Sequence, residues 1–211
     1  MDPNLDKWLF RPAQAADADA AVALIHLSLG EFGTALFGLG DPALERQILS
    51  GLYIQRGSRF SFEWGEVAEQ GGEVVGLLLA VPGEGMLRRD LGLLRQAWPL
   101  YGVRCGLRFV RRALPMAGFK EVERGELMVG NLAVNPEMRG RGIGRQMLIR
   151  AEDRARRMGL KRMALTVDLG NPNARRLYDS AGYRSDRIFR TPHLAELLHT
   201  SGVERMIKDI Y

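Results

Sequence analysis

The chain has 211 residues, of which 46% are hydrophobic and 26% charged, with a net charge of +5. This balance is ordinary for a globular protein and excludes a fibrous or largely disordered chain. The single cysteine, Cys105, cannot form an internal disulfide, so we expect a reducing compartment, the cytoplasm. The sequence shows no signal-peptide pattern and no apolar run as long as a membrane span, so we expect neither feature.

Hydrophobic periodicity divides the chain into strands and helices. The first predicted elements are a strand at 8–11, a helix from Asp17, a helix from Asp41-Pro42, and strands at 60–69 and 73–81. The later ones are a strand at 126–134, a helix at 143–158, a strand at 162–167, a helix at 171–181, a strand at 183–189, a helical turn at 192–199 and a strand at 203–210. This order predicts a mixed α/β fold with one continuous sheet.

A segment at about 84–120 separates the third predicted strand from the fourth. Its apolar residues recur every three or four positions, which predicts a helical stripe that packs on the rest of the fold. The stripe consists of Leu100, Val103, Leu107, Val110 and Leu114, and prolines at 99 and 115 predict the start and end of the helix. Residues 86–120 hold seven arginines and one lysine against one aspartate, a net charge of +7, so the remainder carries −2.

The turn RGRGIG at 139–144 lies between a predicted strand and a predicted helix. It is not a Walker A loop, because no Gly-Lys-Ser/Thr follows, and Arg145 stands where a dinucleotide-binding motif needs its third glycine. The first N–H groups of a helix lack internal partners, and Arg139, Arg141 and Arg145 add positive charge. We therefore expect the turn to bind phosphate or pyrophosphate. A basic connection without a ligand is the alternative for the turn considered alone.

Two motifs together resemble a known family. Arg139-x-x-Gly142-x-Gly144 after LAVNPEM resembles the acetyl-CoA-binding motif of the GNAT superfamily of N-acetyltransferases. The segment NPNARRLYDSAGY at 171–183 is similar to that family's Asn-x-x-Ala-x-x-Leu-Tyr-x-x-x-Gly-Phe, with Tyr183 in place of Phe. The resemblance covers nearly the whole chain except the segment at 84–120. It implies a single domain over 1–211, with a mostly antiparallel central sheet that splays at the cofactor site and is flanked by helices.

The resemblance also implies a set of cofactor-binding residues. Acetyl-CoA would lie in the splay, with its pyrophosphate on the N–H groups of the turn and its pantetheine arm along the preceding strand. The side chain of Asn171 would touch that arm, and Ala174 and Leu177 would pack near it. The implied residues are Leu132, Ala133, Val134, Arg139, Gly140, Arg141, Gly142, Ile143, Gly144, Arg145, Asn171, Ala174 and Leu177.

For the chemistry, the resemblance implies direct attack of an amine on the thioester. Tyr178 would be the general acid for the leaving thiolate, and a core tyrosine is the alternative. Glu126 is the candidate base, and the competing candidates are Glu121, Glu123 and Glu66. For each of these, a solvated surface carboxylate is the alternative. The spacing of Cys, His and carboxylates predicts no metal site. We expect a structural role for His26 and assign none to His193 or His199.

Three interpretations of the segment at 84–120 compete. It could cover the substrate side of the cleft, form a basic surface for membrane or nucleic acid, or make a dimer contact. We favour the first, and hypothesise that a basic lid suits an acidic acceptor. The arginines of that lid would be Arg104, Arg108, Arg111 and Arg112.

The sequence thus predicts an N-acetyltransferase that transfers acetyl from acetyl-CoA to a small-molecule or peptide amine, with no metal and no nucleic-acid partner. A homodimer is one option for its assembly. Transfer of a longer acyl group is the main rival within enzymes. The rivals from other classes are a non-catalytic CoA-binding regulatory module and a basic interaction protein that acts through residues 86–120.

Overall fold

The computed structural model describes residues 8–116, 118–190, 195 and 202–210. The strands of this part are β1 (Leu9–Pro12), β2 (Gly65–Gln70), β3 (Glu73–Pro82), β4 (Glu126–Val134), β5 (Arg162–Asp168), β6 (Arg184–Phe189) and β7 (Val203–Asp209). They form one sheet in the order β1-β2-β3-β4-β5-β7-β6. Every neighbouring pair is antiparallel except β4 and β5, which are parallel. The prediction of a mixed, mostly antiparallel sheet is confirmed.

Helices cover both faces of this sheet. They are α1 (Ala18–Leu29), α2 (Glu31–Leu36), α3 (Pro42–Tyr53), α4 (Met86–Ala113), α5 (Ile143–Arg157) and α6 (Pro172–Ser180). Strand β3 shows how the two layers are built. Its Leu77 and Leu79 belong to the core beneath α1, α3 and α4, and its Leu78 and Ala80 belong to the core beneath α5 and α6. Because successive side chains of a strand point to opposite faces, a continuous apolar run fits a strand that is covered on both sides.

The sheet opens between β4 and β5. On the β3 side of β4, Leu79 faces Asn131 and Ala80 faces Val129, so Gly130 is an extra residue that forms a β-bulge. On the other side, the parallel ladder ends at the pair Val129 and Leu165. Both strands continue for several residues beyond that pair, so no strand among the described residues pairs with the β5 side of β4 over residues 130–134. The predicted splay is confirmed.

Two details of the first half differ from the sequence prediction. Residues 62–64 form a 3₁₀ turn, and β2 therefore begins at Gly65 rather than at Phe60. The Ser61 hydroxyl accepts a hydrogen bond from the N–H of Glu63 at 3.3 Å, and this local bond favours a turn over a strand. Helix α2 was not predicted, because its six residues are too few to show a period. Apart from residue 195, the predicted turn at 192–199 lies outside the described residues, and so do His193 and His199.

The long segment before β4 is helical, as predicted, but its limits are different. Helix α4 begins at Met86, so the predicted start at Pro99 is wrong. Gly102 has φ +66° and ψ 174° and divides α4 into two helical segments. Trp98 lies so close to Gly106 that a Cβ there would meet the indole ring at 2.9 Å. The two segments therefore fold back against each other around Gly102.

The predicted apolar stripe of α4 is largely exposed. The exposed fractions are 65% for Val103, 59% for Leu107 and 68% for Leu114. The buried side instead carries Tyr101 and Phe109, whose rings stack with centroids 5.2 Å apart. The Tyr101 hydroxyl donates a hydrogen bond to the Phe37 carbonyl oxygen at 2.6 Å. Aromatic side chains bury more area than leucine or valine, and their contacts decide which side of the helix faces the core.

We expect Gly102→Ala to lower the free energy of unfolding by about 1–3 kcal/mol, because the backbone conformation at Gly102 is one that only glycine adopts readily. Gly118→Ala is the matched control, since Gly118 has no positive φ and a Cβ there meets nothing within 4 Å. Urea denaturation of both variants measures the difference. Equal stability of the two variants would contradict the break that we describe in α4.

Candidate active site

A set of unpaired backbone donors lies where the chain enters α5. Gly140 and Gly142 have φ values of +76° and +83°, a region that favours glycine, and a Cβ at either position would meet nothing within 4 Å. Within the described part of the chain, the N–H groups of residues 140–145 make no hydrogen bond. The donors therefore face open space at the N-terminus of a fifteen-residue helix. This arrangement fits a phosphate or pyrophosphate group.

The same turn borders a cavity of 1180 Å³. Its walls include residues 130–134 of β4, the end of β5 at 166–168, and one side of α6. The cavity thus occupies the splay between β4 and β5. Its volume exceeds the roughly 300–1,000 Å³ that is usual for one small ligand, so two substrates fit side by side.

The structure brings most of the sequence-predicted site residues to this cavity. They are Leu132, Ala133, Val134, Arg139, Gly140, Gly142, Ile143, Gly144, Arg145, Asn171, Ala174, Leu177 and Tyr178. Among the described residues predicted for the site, Arg141 and Glu126 do not line it. The Asn171 side-chain oxygen accepts a hydrogen bond from the Ala174 N–H at 3.0 Å and so caps α6. That cap fixes α6 beside the splay, with Ala174 and Leu177 on its cavity side.

Tyr178 is buried on α6, and its ring centroid lies 5.9 Å from that of Tyr183. Tyr178 belongs to the core beneath α5 and α6 and also lines the cavity. Burial raises the pKa of Tyr178 to about 12. The phenol is therefore protonated at neutral pH and available as a donor. The Tyr183 hydroxyl is buried and finds no hydrogen-bond partner among the described residues, and Tyr183 is not part of the described cavity lining.

Glu126 takes part in a buried ion-pair network beneath β4 and β7. Arg205 donates a hydrogen bond to its Oε2, and both side chains are only 2% exposed. Arg162 Nη1 lies 3.5 Å from its Oε1, and the N–H of Glu123 donates to its Oε2 at 2.7 Å. Arg205 also donates through Nε to the backbone carbonyl of Glu121 at 3.1 Å. The carboxylate thus holds the start of β4 and the segment before it, away from the cavity.

The competing carboxylates occupy different places. Glu66 pairs with Arg150 on the surface, and Glu123 lies 3.4 Å from Lys120. Of the four candidate bases described by the structure, Glu121 lines the cavity. Separately, His26 Nδ1 lies 3.0 Å from Oε2 of the buried Glu45.

Glu121 belongs to a charged cluster in the cavity wall that the sequence did not reveal. Arg59 Nη2 donates to Glu121 Oε2 at 2.7 Å, and Arg59 Nη1 lies 3.7 Å from Asp90 Oδ1. Burial alone would lower the pKa of Arg59, but Glu121 and Asp90 together raise it. Burial raises the pKa of Asp90, Arg59 opposes that change, and Glu121 adds to it. Asp90 and Glu121 thus share the Arg59 guanidinium, and Arg89 also acts to lower the pKa of Asp90.

A family comparison agrees with this geometry. The sequence model of the Acetyltransferase (GNAT) family matches residues 40–183. The chain belongs to the GNAT family. It is therefore an acyltransferase, and the resemblance drawn from residues 139–144 and 171–183 is confirmed at the level of the family.

Solved structures share the GNAT fold of this chain. An N-acetyltransferase from Staphylococcus aureus Mu50 is 17% identical with a TM-score of 0.73, over 95% of this chain and 100% of that chain. A further acetyltransferase is 22% identical with a TM-score of 0.67, over 96% and 100% of the two chains. An agmatine N-acetyltransferase is 17% identical with a TM-score of 0.61, over 97% and 100%. At these identities the likeness concerns the fold alone.

One curated relative matches a shorter stretch. GCN5-related N-acetyltransferase 4, chloroplastic, from Arabidopsis thaliana is 34% identical over 76 residues. The match spans 36% of this GNAT chain and 26% of that relative.

The residues that the structure describes contain no group of three or more His, Cys, Asp or Glu side chains that could hold a metal ion. Within the same residues, no helix combines the length and the hydropathy that a bilayer span requires.

We expect Glu126→Gln to lower the free energy of unfolding by about 1.5–3 kcal/mol, because it removes one of the two carboxylates that pair with the buried Arg205 guanidinium and leaves Asp186 as the other. Glu123→Gln is the control, since its pair with Lys120 is exposed and worth about 0–1 kcal/mol. Urea denaturation measures both. If Glu126→Gln is as stable as the control, the network is not the structural element that we describe.

Proposed function

We propose that the chain acts, as a single domain, as an acetyl-CoA-dependent N-acetyltransferase that acetylates a primary amine by direct attack. The observation that carries this proposal is the row of unpaired N–H groups at 140–145, which opens into the same cavity as the partnerless edge of β4. A diphosphate group would accept hydrogen bonds from the N–H groups of residues 140–145. An extended chain of amides would pair with the backbone groups along the free edge of β4. Acetyl-CoA carries both groups and supplies a reactive thioester.

Each part of the donor site has a role in this proposal. The N–H groups of residues 140–145 hold the pyrophosphate, with positive charge added by Arg139 and Arg145. The free edge of β4 at 130–134 binds the pantetheine amides as a neighbouring strand would. Asn171 uses its oxygen to cap α6, so its amide N–H groups are the part available to the pantetheine arm.

The chain's residues then handle the protons of the reaction. A carboxylate of the cavity wall takes one proton from the ammonium form of the acceptor, and Glu121 lies there. The amine nitrogen bonds to the carbonyl carbon, the carbon–sulfur bond breaks, and sulfur leaves with the bonding electron pair. Tyr178 donates its proton to that sulfur and regains one from the nitrogen. The products are the amide, free thiol and one proton released to solvent.

The donor site is tested by Gly142→Asp, which we expect to weaken acetyl-CoA binding roughly 100-fold or more, because a carboxylate would face the pyrophosphate. Gly159→Asp is the matched control. Gly159 also has positive φ (+71°) and open space at its Cβ, but it lies past the other end of α5 and away from the cavity.

Calorimetric titration with acetyl-CoA compares the two variants with the unsubstituted chain. Equal loss in both variants would point to damaged folding. Full binding by Gly142→Asp, or no binding by the unsubstituted chain, would overturn the donor site.

Tyr178→Phe should lower kcat by roughly 10²–10⁴-fold while acetyl-CoA affinity stays unchanged, because only the proton donor is removed. In the unsubstituted chain, kcat should show no loss from tyrosine ionisation up to about pH 11 and should fall as the pH passes about 12, since burial raises the pKa of Tyr178 to about 12. Tyr183→Phe is the control, because that hydroxyl is buried outside the cavity. Thiol release measures kcat, and equal rates for both variants would remove the acid role of Tyr178.

A further inference from the structure

The cavity continues beyond the donor site into a second region that α4 helps to form. Apolar side chains make up most of its walls, and they come from several elements around it. Examples are Phe32, Leu91, Leu94, Val110 and Met116. Phe119 and Phe189 form a further wall, with ring centroids 5.0 Å apart. A water-filled pocket for a polar substrate would not need this lining.

The charged groups of this region are few and local. Among the described residues that line it, the ionisable side chains are Arg59, Asp90 and Glu121, and the other charged lining residues lie at the donor site. Arg59 is engaged by both carboxylates. The described lining of this region therefore carries one more carboxylate than guanidinium groups. Arg89 also acts on Asp90, but it lies outside the described lining, and its Nη1 donates to the carbonyl oxygens of Pro82 and Glu84.

The arginines expected to form a basic lid are not in this lining. The described cavity walls do not include Arg104, Arg108, Arg111 or Arg112. Arg112 instead donates a hydrogen bond to the carbonyl oxygen of Ala35. The basic side of α4 therefore faces away from the acceptor, and an acidic acceptor would find no complementary charge beyond Arg59.

We propose that the acceptor is a primary amine attached to an apolar alkyl or aryl body, with its ammonium group held by Asp90 and Glu121 and its carbon body along the apolar wall of α4. This inference rests on the proposed N-acetyltransferase function and names the acceptor of the same cavity. The contact between Arg59 and Glu121 is short, whereas Asp90 is 3.7 Å from Arg59. Asp90 is thus the carboxylate with more freedom to bind the ammonium.

The apolar wall extends past the cavity to the protein surface. Leu87 and Leu91 on the first segment of α4 line the cavity and yet are 74% and 56% exposed. Leu114, which directly follows α4, also lines the cavity and is 68% exposed. These leucines form a rim of the cavity at the two ends of α4. An acceptor whose carbon body is longer than the cavity would continue to bury apolar surface against this rim.

The acceptor class is tested with linear primary alkylamines from four to eight carbons at saturating acetyl-CoA. We expect kcat/KM to rise roughly fourfold for each added methylene, because each one buries apolar surface. The six-carbon diamine and the six-carbon amino acid with a terminal carboxylate match hexylamine in length. Both should react at least tenfold more slowly than hexylamine, because their second charge would enter the apolar region.

Two pairs of variants locate the effect in the structure. Leu91→Ser should lower kcat/KM for octylamine by roughly three- to tenfold and leave butylamine less affected. Leu107→Ser, an equally exposed leucine of α4 outside the cavity walls, should change neither. Asp90→Asn should raise KM for every amine by roughly tenfold or more without changing acetyl-CoA affinity. Asp153→Asn, on the exposed side of α5, is its control.

The outcomes separate this inference from the proposed function. A kcat/KM that does not depend on chain length, or a preference for the diamine or the amino acid, would overturn the apolar acceptor and leave the acetyltransferase standing. Acetyl-CoA binding without turnover of any amine in the panel would also overturn it. Absence of acetyl-CoA binding would instead reject the proposed function.

Discussion

The parting of β4 from β5 is the constraint on which the rest of the structure depends. The two strands pair in parallel over four residues and then separate, next to the bulge at Gly130. A bulge bends its strand, so the edge of β4 turns away from β5. On its other side, β5 stays paired with β7 along its full length. Strand β5 is therefore held in the sheet, while its neighbour β4 offers free backbone groups. The N-terminus of α5 adds further hydrogen-bond donors beside the same opening.

Burial on both faces holds this opening in shape. Aliphatic side chains of β3 pack on helices above and below the sheet. The ion pair of Glu126 and Arg205 links the start of β4 to β7, across the part of β5 that is still paired with β4. Because Arg205 also binds the Glu121 carbonyl, the same network positions the segment that carries the Glu121 carboxylate. Glu126, which the sequence predicted as the candidate base, thus supports the cavity wall and is not part of the described cavity lining.

Sequence reasoning succeeded where the signal is local and failed where it depends on tertiary contacts. The element order and the turn at 139–144 follow from periodicity and glycine spacing. The family follows from two motifs, at 139–144 and 171–183, that are separated by one helix and one strand. The face of α4 could not be read in this way. Its leucine stripe has the regular spacing of a buried face, yet Tyr101 and Phe109 face the core because they meet Phe37 there. Likewise Arg59, Asp90 and Glu121 are far apart in the chain, and no motif joins them before the chain folds.

The most direct test of the central claim is amide hydrogen exchange, measured peptide by peptide with and without saturating acetyl-CoA. If the free backbone groups of the splay are the donor site, exchange slows over residues 130–134 and 140–145 and stays unchanged at the Gly71-Gly72 turn between β2 and β3. Unchanged exchange over 140–145, or protection confined to elements outside the splay, would contradict the account.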